Sequence, residues 1–209
     1  MSRPLIISDC DEVLLHMVVP FRDWLDEAHG IEFVMEDNSF ANALRRDGVA
    51  LEPAEIWRLL RAFFDTEMPR QLPIAGAPAA LAELGRHADI VILTNLTDGH
   101  RDARARQLAD HGIHARVFTN QGPKGPALKA ILDEYAPPRA LFIDDLAQHH
   151  RSVGEIAPDV TRLHFCGEPL IAGRIDCAHR AGDAAARIDT WNDALPWLLA
   201  RLTTETVPQ

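Results

Sequence analysis

Short apolar runs alternate with longer stretches of three- and four-residue apolar spacing along most of this chain. Leu5–Ile7, Ile90–Leu93, Ala140–Ile143 and Arg162–Cys166 read as buried strands, with Arg116–Phe118 a weaker fifth. Between them, Ala77–Gly85, Asp98–His111, Pro126–Tyr135 and Leu146–Ile156 carry the spacing of amphipathic helices. This alternation predicts an α/β fold: a Rossmann-like parallel sheet with helices on both faces. Such sheets bind ligands at the carboxyl ends of their strands, so the polar residues after each run carry the functional information.

One interval breaks the rhythm. From Leu14 to Leu72 there are about 60 residues, roughly twice what one crossover needs. Pro20–Phe21 opens a helical segment that Gly30 can close, and Pro53 opens another bearing Ile56, Leu59, Leu60, Phe63 and Phe64. A small helical cap over residues 15–72, inserted into a core of residues 1–14 and 73–209, is the expectation. The stretch from Asn95 to Lys124 has no room for a second one.

Composition narrows the class. At 209 residues and 47% apolar, the chain can bury a core without covalent staples. Its three cysteines form no CxxC pair, so neither a disulfide framework nor a zinc ribbon is indicated, and a reducing cytoplasm fits best. The Leu5–Ile7 run is too short for a signal peptide or a membrane span. A formal charge of -10 argues against nucleic acid as a partner, since phosphate backbones demand clustered Lys and Arg.

The strand ends are rich in oxygen ligands. The first gives Asp9-Cys10-Asp11-Glu12-Val13, in which Asp9 and Asp11, two apart on an extended segment, are expected to project into one site. Taken alone, this DxD pair reads better as a solvated turn. The second strand ends in Thr94-Asn95, which can bind phosphate oxygens or cap a helix. Lys124 follows Gly122-Pro123 and precedes Gly125-Pro126 at a helix start, where a cation can neutralise phosphate. A further strand runs into Asp144-Asp145, and capping accounts for one of these acids but not easily for both. Four carboxylates at one sheet edge suit a hard cation such as magnesium.

These four motifs, in this order, resemble those of the haloacid dehalogenase-like superfamily, over about residues 4 to 166. The resemblance implies a magnesium-dependent phosphatase acting on small phosphorylated metabolites through an aspartyl-phosphate intermediate. By it, Asp9 attacks phosphorus, and Asp11 protonates the leaving alcohol and then activates water. Thr94, Asn95 and Lys124 hold phosphate. Magnesium is held by Asp9, the Asp11 backbone carbonyl and Asp144, with Asp145 either a direct or a water-mediated ligand. The superfamily also places a small cap after its first motif. Many members carry glycine at the position of Glu12 and a small polar residue at that of Leu146, and Glu12 is expected to affect the link between core and cap.

A phosphate-transferring mutase shares all four motifs, and a non-catalytic binding module shares the fold. The second acid, Asp11, speaks against dehalogenation. The chain is expected to act as a monomer or homodimer. His149 and His150 read as a solvated helix surface and Cys10 as packing. Arg45, Arg46, Arg58 and Arg61 read as solvated or acid-paired, with recognition of an anionic substrate the lesser reading, and Trp24 and Trp57 as cap core by default, with pocket wall the alternative.

Overall fold

A computed structural model describes residues 2–35 and 42–203. Six parallel strands form one sheet: β1 (Leu5–Ser8), β5 (Asp89–Thr94), β6 (Arg116–Thr119), β7 (Ala140–Asp144), β8 (Thr161–His164) and β9 (Ala186–Arg187). Their order is β6-β5-β1-β7-β8-β9, so β1 lies centrally between β5 and β7. The four strong apolar runs and the weaker fifth are all strands. The two-residue β9 carries too little apolar signal to have been anticipated.

The pleat explains the continuous apolar runs. Ile6 packs on one face with Ile92, Leu81, Leu84 and Leu198, whereas Leu5 and Ile7 pack on the other with Leu128, Ile131 and Val153. The first face is covered by α3 (Ala77–Leu84) and α8 (Trp191–Thr203), and the second by α5 (Gly125–Tyr135) and α6 (Ala147–Ile156). The helix α4 (Arg101–Asp110) links β5 to β6, and a short α7 (Pro169–Ala172) follows β8. Gly125 is required where α5 meets α6, because a Cβ there would collide with the Ser152 carbonyl oxygen. Trp191 Nε1 donates to the Val13 carbonyl at 2.9 Å, tying α8 to the loop after β1.

The interval after β1 contains the two anticipated helices, α1 (Val18–His29) and α2 (Pro53–Thr66). It also contains something unanticipated: an antiparallel sheet of β2 (Glu32–Phe33), β3 (Leu44–Arg46) and β4 (Val49–Ala50). The insert is therefore mixed rather than purely helical. Strands of two or three residues leave no period-two signature, which is why they escape sequence reading. Residues 36–41 of the expected insert lie outside the described residues. The insert packs about a separate apolar cluster, shared with Cys166 and Ile171 after β8, in which Phe21, Trp24 and Phe63 pack ring against ring. Among the described residues, no helix is long and apolar enough to cross a membrane.

Candidate active site

Register brings the chemistry together. Ser8 pairs with Ile143 on β7 and with Ile92 on β5. Asp9 and Asp144, each one residue beyond such a pair, therefore leave the sheet side by side, and Thr94 ends the neighbouring strand. The helix start at Gly125 delivers Lys124 to the same edge. Lys124 is completely buried, and its Nζ lies 2.8 Å from Asp9 Oδ1 and 2.7 Å from Asp144 Oδ2. A lysine that would be solvated if judged singly is thus the bridge of the site. Ligand oxygens of Asp9, Asp144 and Asp145 lie within 4.8 Å of one another, and all three residues are buried.

The electrostatics follow from packing three acids against one cation. Burial pushes the Asp9 carboxyl up to about 7, against the pull of Lys124 and with a further push from Asp144. Asp145 is raised well above its ordinary value by burial, then by Asp144 and Asp9. Burial is the largest influence on Asp144 and acts upward, but the pull of Lys124, with His149 and His150, together holds that carboxyl below the usual range. Burial would lower the Lys124 ammonium, and Asp144 and Asp9 overcome it and raise it. Ionised together, the three carboxylates would carry more negative charge than Lys124 supplies, and their mutual repulsion is part of what raises Asp9 and Asp145. An all-oxygen donor set with uncompensated negative charge fits a hard divalent cation such as magnesium.

Backbone donors fix the acids. The Cys10 N–H donates to Asp9 Oδ1 at 2.7 Å, and the Leu146 N–H donates to Asp144 Oδ1 at 2.9 Å. Thr94 is buried, and its Oγ1 has no hydrogen-bond partner, which marks it for a ligand. Asn95 stands at the same edge, with its side chain engaged in the loop: Nδ2 donates to the Gly122 carbonyl at 3.1 Å, and Oδ1 accepts from Asn120 at 2.9 Å. It ties the end of β5 to the Lys124 loop.

Asp11 departs from expectation. Its carboxylate does not join the three acids but accepts from Gln71 Nε2 at 2.7 Å and from an Arg104 guanidinium nitrogen at 3.0 Å. The reason is local: β1 ends at Ser8, so the two-residue rule for extended chain no longer orients Asp11. The Asp11 carboxylate is thus engaged by side-chain donors outside the Asp9–Asp144–Asp145 group. Arg104 is itself fully buried on α4 and also donates to Gln107 at 3.1 Å. Neither Arg104 nor Gln71 was singled out from sequence. A charged residue on a helix facing the sheet edge was the available signal, diluted by the other arginines of the RDARAR run.

Two further readings need correction, those of the His149–His150 pair and of Trp57. His149 and His150 are buried, not solvated, because this face of α6 lies against the sheet; His150 Nε2 bonds the Asp144 carbonyl oxygen at 2.9 Å. Glu12 adopts φ 59°, the left-handed region in which glycine is easiest, and its Oε1 accepts from the Met17 and Val18 N–H groups, capping α1. Trp57 is not cap core but 69% exposed, whereas Trp24 is core. Cys10 is packing, its thiol pushed up by burial. Arg46 and Arg58 pair with Glu55.

A crevice of about 520 Å³ lies between insert and core beside this site. Trp57, Leu60 and Phe64 line it from α2, and Asn95, Leu96 and Gln121 from the core. A second cavity, of about 950 Å³, shares Arg61, Phe64, Thr97 and His100 with it and extends toward α4.

Fold and site together define a parallel α/β domain with a lysine-bridged acidic centre at its carboxyl edge and a small insert after its first strand. The fold is that of the haloacid dehalogenase-like hydrolases. A protein of that family from Streptococcus pneumoniae superposes with a TM-score of 0.69 at 13% identity, covering 94% of this chain and 98% of that one. A hydrolase of the family from Deinococcus radiodurans, solved with phosphate and sodium bound, gives 0.65 at 16% identity, covering 98% and 99%. A candidate beta-phosphoglucomutase from Thermotoga maritima gives 0.61 at 13% identity, covering 94% and 99%. No protein-family model and no curated protein sequence matches the chain.

Proposed function

We propose that this protein is a phosphatase of the haloacid dehalogenase-like kind, hydrolysing small phosphorylated metabolites with magnesium through a phosphorylated Asp9. The carrying observation is the buried Asp9–Lys124–Asp144 bridge beside a buried Thr94 hydroxyl with no partner. A nucleophile, a fixed positive charge and a free donor at one sheet edge are what phosphoryl transfer requires, since it depends mainly on positioning and charge neutralisation.

In this reading an Asp9 carboxylate oxygen attacks phosphorus while the bond to the leaving oxygen breaks. Asp11 gives that oxygen its proton. Water then attacks the same phosphorus, Asp11 takes a proton from it, and the bond to Asp9 breaks to free phosphate. Arg104 and Gln71 both donate to Asp11, which sets it as an acceptor for the second step. Thr94 Oγ1 and Lys124 Nζ hold the equatorial phosphoryl oxygens. Asp9, Asp144 and Asp145 would hold magnesium, which when bound supplies the charge that offsets both the acids and the phosphoryl group.

The crevice of about 520 Å³ has the size of a small-molecule site, and its apolar wall favours substrates with a non-ionic portion beyond the phosphate. The test is phosphate release by purified protein from a panel of phosphorylated metabolites and an aryl phosphate, with magnesium and with chelator. Magnesium-dependent release is expected. Transfer to a second hydroxyl with little free phosphate would point to a mutase. A folded protein inert toward the whole panel would contradict the reading and favour a binding module.

A further inference from the structure

A second group of ligating side chains lies outside the acidic centre: Glu12, His16 and Glu168, whose ligand atoms all fall within 4.8 Å of one another. We propose that these three residues form a separate binding site for a transition-metal dication of the Zn2+ type, which fastens the first core-to-insert connection to the segment after β8.

The arrangement is built rather than accidental. Glu12 is 2% exposed and Glu168 is 6% exposed. Each carboxylate has one oxygen fixed by backbone donors at a helix start. Glu12 Oε1 accepts from the Met17 and Val18 N–H groups, and Glu168 Oε1 accepts from the Leu170 N–H at 2.8 Å. That anchoring leaves the second oxygen of each uncommitted to the backbone, as outer contacts do in metal sites. Glu168 Oε2 lies 2.9 Å from His16 Nδ1. Glu12 Oε2 is buried and has no hydrogen-bond partner. A buried, unpartnered carboxylate oxygen beside a second buried carboxylate is a costly arrangement that a dication relieves. The two acid segments are also joined directly, since the Gly167 N–H donates to the Glu12 carbonyl at 2.7 Å.

The donor set decides which ion. One imidazole nitrogen and two carboxylate oxygens suit zinc or cobalt, whereas magnesium prefers oxygen alone. Tetrahedral zinc with ligands at about 2.0–2.2 Å sets them roughly 3.3 Å apart, so the His16–Glu168 pair needs to open by only a few tenths of an ångström. The His16 side chain is 29% exposed, which provides entry and room for water as a fourth ligand. The inference does not rest on the phosphatase reading, because none of its three ligands belongs to the acidic centre.

The experiment is titration of chelator-stripped full-length protein with Co2+ under saturating Mg2+, followed by visible absorption and by direct metal analysis. One equivalent of Co2+ with visible bands is expected. His16→Gln and Glu168→Gln should weaken it by about 100-fold or more, while Asp144→Asn should leave it in place. Co2+ binding that survives both His16→Gln and Glu168→Gln, or that vanishes in Asp144→Asn alone, would overturn the proposal, as would no binding at all. Should the variants fail to fold, anomalous diffraction from Co2+-soaked wild-type crystals decides it by a peak, or none, between Glu12, His16 and Glu168.

Discussion

The core edge and the insert handle charge in opposite ways. At the edge, Lys124 and Arg104 are completely buried and reach acids 20 to 115 positions away in sequence (Asp144, Asp11 and Asp9). In the insert, Arg58 is 65% exposed and pairs with Glu55 one helical turn away. A buried charge persists only where specific partners compensate it, so each partner is constrained; an exposed pair is screened by water and is dispensable. The contrast supports placing the proposed chemistry at the core edge, with the insert supplying the apolar wall formed by Trp57, Leu60 and Phe64.

The sharpest way to break this comparison is to remove the bridge. Lys124→Met should lower kcat/KM by roughly 10³-fold and reduce stability at neutral pH by about 3–5 kcal/mol, because it strands buried acids without their cation. Steady-state kinetics and urea unfolding check both. Arg104→Met comes next. It leaves Asp11 with Gln71 alone, and we expect about 3 kcal/mol of destabilisation with an activity loss on the order of 10²-fold.

A graded effect, spread over a pH window, is expected from the buried histidines. Burial depresses His164 to about 4 and His149 to about 4, and it lowers His150 as well. These groups stay neutral in the folded chain but charge near pH 6.5 when unfolded, so the unfolded state binds more protons in between. Their stability contribution is complete above about pH 6.5 and is lost as pH falls toward 4. The urea midpoint should drop through that window, and should drop less in His164→Gln. At the bottom of the scale, Arg58→Ala should change stability by no more than about 0.5 kcal/mol and leave kcat unchanged. A large effect there would erase the distinction between the two regions.

Much of this was legible in the chain, for a physical reason. Strands buried on both faces must be continuously apolar, so β1, β5 and β7 announce themselves, and the polar residues that end them fall at one edge by construction. Asp9, Thr94, Asp144 and Asp145 lie at that edge for this reason, and Lys124 reaches it from the start of α5. What failed was local geometry and long-range pairing. The turn of Asp11 toward Arg104 depends on the backbone leaving β1 at Ser8. The burial of His149 and His150 depends on which face of α6 meets the sheet. The strands of the insert are too short to carry a period. Glu12 was flagged as unusual at its position, but its cap on α1 and its neighbours His16 and Glu168 become visible only when residues 152 positions apart are brought together.

The central claim is that Asp9 carries the phosphoryl group, and acid-quenched mass spectrometry during turnover tests it most directly. With magnesium and an active substrate, the account predicts a transient phosphate adduct on the peptide containing Asp9, absent from a folded Asp9→Asn variant that also releases no phosphate. Phosphate release by Asp9→Asn at the wild-type rate, with no adduct on either protein, would contradict it.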